Sequence, residues 1–154
     1  MAECGPQETL AREIARRAHG DAPNPKTGET YLTHPEHVAS CVVGDEAKAV
    51  AWLHDVVEDT SVTLDDLRAA GLSEAVVRGV DAMTHRRGED YLDFVRRAGR
   101  DPLARAVKEA DIRHNLDLGR LPMPTGQDLE RVRVKYIPAL HILLNTQNGE
   151  ECSE

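Results

Sequence analysis

Aromatic side chains are scarce in this 154-residue chain, which has one Trp, one Phe and three Tyr. That is too few for a platform on which nucleic-acid bases could stack. Cationic tracts are missing as well, and the net charge is −8. Counterion release therefore has nothing to drive it, and nucleic acid is not an expected partner. No stretch approaches the roughly 18 to 20 apolar residues of a membrane span, so no membrane association is expected either. The first residues, Met1-Ala2-Glu3-Cys4-Gly5-Pro6, lack the basic region and apolar run of a signal peptide. Cys4, Cys41 and Cys152 are scattered and form neither a CxxC pair nor a disulfide framework. A reducing cytoplasm suits them, with Cys41 expected as a small buried residue. Repeats, low-complexity segments and linkers are absent, so residues 1–154 read as one domain with a core of about 7–146.

Helical periodicity dominates what remains, and the fold class expected is all-α. A first helix is expected from Gln7 to His19, with Leu10, Ile14 and Ala18 on one face. The breaker-rich run from Gly20 to Thr30 reads as a mobile loop. Further helices are expected at Pro35–Val43, Glu46–Glu58, Thr63–Ala70, Ser73–Met83, Glu89–Ala98, Pro102–Leu116 and Asp128–Leu144. Thr63 followed by Asp66 is a capping-type start, and Pro35 and Pro102 stand at favoured first-turn positions.

The chemistry concentrates in Trp52-Leu53-His54-Asp55-Val56-Val57-Glu58-Asp59-Thr60. On one continuous helix, residues four apart share a face, so His54 would stand over Glu58 and Asp55 over Asp59. A polar face bracketed by apolar residues costs free energy unless something pairs it, and a divalent metal with bound water would do so. His34, twenty residues earlier, and Asp111, later in the chain, complete a plausible coordination set. Two imidazoles and two carboxylates favour Mn, Fe, Co or Zn over Ca or Mg. Four protein ligands leave room for a reacting water only on an ion of higher coordination number, which places Mn or Fe first.

Other charged groups have simpler readings. His19, His37, His85, His114 and His141 are expected to be satisfied or solvated histidines. Lys108, Asp111 and Asn115 fall at i, i+3 and i+7, so one helix face could offer a metal ligand beside an ammonium and an amide. An ordinary ion pair at i,i+3, worth a few tenths of a kcal/mol, explains the first two equally well. Lys26, Lys108, Arg86, Arg87 and Arg113 are the cations available to hold a phosphorylated ligand, with Arg86 and Arg87 expected in a solvated loop.

Three segments together resemble the motifs of the HD-domain metal-dependent phosphohydrolases. They are Tyr31-Leu32-Thr33-His34-Pro35, Leu53-His54-Asp55-Val56-Val57-Glu58-Asp59-Thr60 and Val107-Lys108-Glu109-Ala110-Asp111-Ile112-Arg113-His114-Asn115-Leu116. More narrowly they resemble the hydrolase domain of the RelA/SpoT proteins and the small Mesh1-like alarmone hydrolases, over about residues 15–136. The acidic pair after His54-Asp55 separates this branch from HD proteins in general. The resemblance implies a single helical bundle holding one Mn-like ion between helices through His34, His54, Asp55 and Asp111. It implies that Glu58 and Asp59 handle the water, and that the substrate is a small phosphorylated nucleotide. It further implies removal of the 3′-pyrophosphate of ppGpp and pppGpp, with Lys26, Thr27 and Gly28 approaching the nucleotide and Asn115 at a ribose or phosphate.

Two positions depart from that pattern. Pro25 stands where a cation usually helps hold the base, and Asp117 stands where a basic residue is common. They motivate a second reading, the same chemistry on another nucleotide or phosphomonoester. A third reading is a non-catalytic nucleotide- or metal-binding module, and the intact acidic pair argues against it.

Overall fold

The computed structural model describes residues 4–20, 23 and 30–147, with backbone only for 146 and 147. The helical segments are α1 (Pro6–His19), α2 (Thr33–Ser40), α3 (Asp45–Leu53), α4 (Val56–Asp59), α5 (Leu64–Ala70), α6 (Glu74–Ala82), α7 (Tyr91–Ala98), α8 (Pro102–Leu116), α9 (Gly126–Arg131) and α10 (Ile137–Gln147). A 3-10 turn, Leu118–Arg120, follows α8, and a π-helical segment, Val132–Tyr136, joins α9 to α10. Among the described residues the β-type contact is one isolated bridge, Pro23 to Thr30, so the fold is all-α. The expected mobile loop lies, apart from its ends and Pro23, outside the described residues. No helix among them is long and apolar enough to cross a membrane.

α3 is the axle of the bundle, packed against α1, α2, α6 and α8. Its sequence explains this position. Ala47, Ala49, Val50, Ala51, Trp52 and Leu53 are all buried, and a helix that is apolar nearly all round belongs inside. Each fully buried aliphatic side chain of the Leu53 or Val50 kind contributes about 1.5–3 kcal/mol. Gly79 lets α6 lie close to α3, because a Cβ there would meet the Val50 side chain at 2.7 Å. A smaller cluster of Val95, Ile112, Ala139 and Leu143 ties α10 to α7 and α8.

Polar groups fix the ends. Asp45, in the first turn of α3, accepts from the N–H groups of Gln7 (3.0 Å) and Glu8 (2.8 Å) and so caps α1 from a neighbouring helix. Thr63 and Asp66 form the expected reciprocal capping box, and Gly71 ends α5 at φ 108°. Asp101 caps α8 ahead of Pro102.

Three expectations need correction. The helix expected over Glu46–Glu58 is two helices, broken at His54-Asp55. The Ala51 carbonyl, a helix acceptor, takes a hydrogen bond from the His54 ring at 2.6 Å. The chain turns there and restarts when the Asp59 N–H reaches the Asp55 carbonyl at 3.0 Å. The last helix is likewise divided by the π-helical segment. Pro138 has no N–H for the Val134 carbonyl, and its ring crowds that carbonyl, which a widened turn relieves. Finally, Cys41 is exposed because α2 ends at Ser40 and leaves it on the surface.

Candidate metal centre and its cavity

The break after α3 decides the geometry. His54 is driven inward and is 2% exposed, while Glu58 and Asp59, on the separate turn of α4, face solvent. The expected stacking of His54 over Glu58 on one helix is replaced by a buried imidazole below an acidic rim. His54 Nδ1 donates to Ala51, which leaves Nε2 as the free ring nitrogen.

That nitrogen is buried and has no hydrogen-bond partner. Around it lie Asp55 Oδ2 at 3.3 Å and Asp111 Oδ1 at 3.7 Å, and His34 Nε2 is 2.8 Å from the same Asp111 oxygen. The donor atoms of His34, His54 and Asp111 all lie within 4.8 Å of one another. Neighbouring ligands about 2.1 Å from one octahedral ion stand about 3 Å apart. The cluster has the right size and the right donors, and a cation would satisfy the orphaned nitrogen. Asp55 is beside His54 but outside the tight trio.

Electrostatics agree with a site built for positive charge. Burial alone would lower His54, but the Asp55 and Asp111 carboxylates outweigh it and lift its pKa to about 9. Burial likewise opposes the charge on Asp111, and Lys108 with the two imidazoles holds it well below the usual carboxylate range. Lys108 Nζ sits 2.8 Å from Asp111 Oδ2, and both groups are buried. Burial would lower Lys108, and Asp111 raises it instead. Lys108 therefore lines the cavity with its ammonium already committed.

The cavity measures about 400 Å³ and opens over His34, His54, Asp55, Glu58, Asp59 and Asp111. Partial loss of water raises the pKa of Glu58, partly offset by the His85 backbone N–H, which donates to its carboxylate. Asp59 is raised by desolvation and then by Asp55. Asn115 is held at both ends: its Nδ2 donates to Asp111 Oδ1 at 3.3 Å, and its Oδ1 accepts from Arg120 at 3.1 Å. Lys26 and Thr27, with Pro25 and Gly28, lie outside the described residues. Arg86, Arg87 and Arg113 do not reach the cavity wall; Arg86 pairs with Asp81 and Arg113 with Glu109. Asp117 lines a separate depression beside His37 and His114.

No family model matches the chain. It is 32% identical over 146 residues to a guanosine-3′,5′-bis(diphosphate) 3′-pyrophosphohydrolase of Haemophilus influenzae, a match over 84% of this chain and 21% of that protein. The bifunctional (p)ppGpp synthase/hydrolase SpoT of Escherichia coli is 32% identical over 147 residues, with the same two coverages. The chain is a homologue of the SpoT/RelA proteins. It spans about a fifth of the length of the curated relatives it matches. A solved structure described as a metazoan ortholog of SpoT that hydrolyzes ppGpp superposes with a TM-score of 0.76 at 20% identity, over 93% of this chain and 88% of that one. The two share a fold.

Several groups around the site of this SpoT/RelA homologue were not expected from sequence. His114, expected only as a satisfied or solvated histidine, is the first. Its Nδ1 lies 2.5 Å from His34 Nδ1, and its ring stacks between those of His34 and His37. Burial, then His34, His37 and Arg120, lower its pKa to about 4, so it stays neutral and can accept the His34 N–H. His34 Nε2 is thereby aimed at the cluster. The signal was legible only in part: His114 adjoins Asn115, but nothing local says that it meets His34, 80 residues away. Also lining the cavity are Tyr31, Met83 and His85 from turns and loops, Tyr91 and Phe94 from α7, Arg120 from the 3-10 turn, and Lys135 and Tyr136 from the π-helical segment.

Proposed function

We propose that this chain is a metal-dependent phosphohydrolase, loaded with Mn, which removes the 3′-pyrophosphate of the guanosine alarmones ppGpp and pppGpp. One observation carries the reading: an orphaned, buried His54 Nε2 among His34, Asp55 and Asp111, beneath a carboxylate pair at the mouth of a cavity. The named activity of the relatives supports the choice of substrate. His34, His54, Asp55 and Asp111 are the proposed ligands, with Fe, Co or Zn as possible replacements for Mn. A bound ion of this class acidifies its water and polarises a phosphoryl oxygen.

The chain's own residues supply the rest. Glu58, whose pKa is raised by desolvation, is suited to take a proton from the attacking water. Asp59 beside it orients that water. The water oxygen bonds to the phosphorus attached to the 3′ oxygen, that P–O bond breaks, and the 3′ oxygen leaves with the proton from the carboxylate pair. The products are GDP, or GTP from pppGpp, and pyrophosphate. Asn115 and the Lys26-Thr27 segment are assigned to the nucleotide. Lys108 is assigned to holding Asp111 charged and in place. Asp117 lies outside the cavity lining, so that departure leaves the substrate assignment intact. The exposed thiols of Cys4 and Cys41 suit a cytoplasmic location.

The test is product analysis. Mn-reconstituted protein incubated with ppGpp should release GDP and pyrophosphate, and the His54→Ala/Asp55→Ala protein should not. Binding of ppGpp without product over long incubation would replace the enzyme with a binding module. Turnover confined to other phosphorylated nucleotides in a substrate panel would keep the chemistry and change the substrate.

A further inference from the structure

The cavity has an acidic floor and rim in Asp55, Glu58, Asp59 and Asp111 and, among the described residues, three cations in its wall: Lys108, Arg120 and Lys135. Two of the cations are occupied. Lys108 is paired to Asp111 at 2.8 Å. Arg120 donates to the His114 carbonyl and to Asn115 Oδ1, both at 3.1 Å. Lys135 is different. Among the described residues it has no carboxylate within ion-pair distance, and its ammonium rests 4.3 Å from the centre of the Tyr91 ring and 5.7 Å from that of Tyr136. The Tyr91 ring also carries Lys108, whose Nζ is 5.3 Å from its centre. Lys135 thus shares an aromatic seat with the lysine that holds Asp111.

A half-buried ammonium left on aromatic faces, without an anion, loses hydration that a cation–π contact only partly returns. Desolvation and Lys108 both lower its pKa, and a phosphate oxyanion in the cavity would restore it. The backbone explains how it comes to be there. Neighbouring side chains on an α-helix diverge by about 100°, yet Lys135 and Tyr136 both line this cavity, and both lie in the π-helical segment ahead of Pro138. Widened turns of this kind are frequent at functional sites.

We infer that Lys135, seated on Tyr91 and Tyr136, is the specificity-determining cation that binds the diphosphate group removed from the substrate. This inference rests on the reaction proposed above for the choice of substrate, but its binding test does not. Lys108, the lysine visible in the sequence motif, keeps the floor assembled, while Lys135 remains free to meet the incoming charge.

The experiment measures binding of inorganic pyrophosphate by calorimetry to the Mn-loaded protein, with Mn in excess over pyrophosphate. Wild type is compared with Lys135→Met and Lys135→Arg, and KM and kcat for ppGpp are measured in parallel. Lys135→Met should weaken pyrophosphate about tenfold or more, the loss of one charge-assisted hydrogen bond. KM should rise by a similar factor, kcat should fall much less, and Lys135→Arg should recover most of the binding. All three proteins should melt at closely similar temperatures. If wild type turns over no ppGpp but Lys135→Met still loses pyrophosphate, the inference stands and the substrate assignment falls. If ppGpp is hydrolysed and Lys135→Met matches wild type in both pyrophosphate affinity and KM, the inference is overturned. Failure of wild type to bind pyrophosphate overturns it as well.

Discussion

The floor of the cavity and its mouth are made of the same residue types and behave in opposite ways. At the floor His54, Lys108 and Asp111 are 2%, 6% and 6% exposed, and every charge but one ring nitrogen has a partner. At the mouth Glu58 and Asp59 face solvent, and Lys135 rests on aromatic rings. A buried charge that loses its partner is costly, so the floor charges sit in fixed pairs around the proposed ion site. The mouth keeps charged groups available for a ligand that comes and goes. One histidine and one carboxylate four positions apart, His54 and Glu58, fall on opposite sides of this boundary because the helix breaks between them.

The sharpest test of that boundary substitutes one residue on each side. His54→Ala should strip the metal and lower turnover by at least about a thousandfold, because a metal's several kcal/mol of charge stabilisation goes with it. Glu58→Gln should keep the metal at full occupancy and lower turnover by about 10²–10⁴. Elemental analysis beside initial rates separates the two. Equal metal loss in both variants would erase the distinction between floor and mouth.

Lys108→Met probes the floor without removing a proposed ligand. It leaves the Asp111 carboxylate buried and short of its main counter-charge, an arrangement that typically costs about 3–5 kcal/mol. Urea unfolding of the metal-free protein should show that loss, and added Mn should return part of it by replacing the missing positive charge. A loss below about 1 kcal/mol would mean that the Lys108–Asp111 pair is no more than the surface-type i,i+3 pair that its spacing alone suggests.

How much of this was legible follows the same line. Helix positions were readable where local chemistry sets them: the Thr63/Asp66 capping box, Pro102 at the start of α8, and the unbroken apolar run of α3. The floor residues were readable because His54-Asp55 and Asp111 sit in compact motifs. The break at His54-Asp55 was not, since its cause is a ring that takes a backbone acceptor only after folding places it there. The π-helical segment was also missed, although Pro138 is a visible reason for irregularity four residues earlier. Lys135 and Tyr136 then read as ordinary helix positions. Their place at the mouth lies in a turn that periodicity treats as regular.

His114 sits between these extremes, and the smallest predicted effect concerns it. It touches no proposed substrate atom and contributes no ligand, yet its Nδ1 fixes the orientation of His34 from behind. Ligand imidazoles are commonly held by such partners, whose loss typically costs about 10- to 100-fold in metal affinity. His114→Ala should show that loss in a chelator competition, while turnover at saturating Mn stays within a few-fold of wild type. His114→Gln offers an amide oxygen to the same N–H and should recover part of the affinity. Arg120 donates to the His114 main-chain carbonyl at 3.1 Å, so this contact survives either substitution and any change belongs to the imidazole. Unchanged affinity in His114→Ala would leave His34 positioned by its own helix alone, and the boundary would then be drawn at His34 rather than behind it.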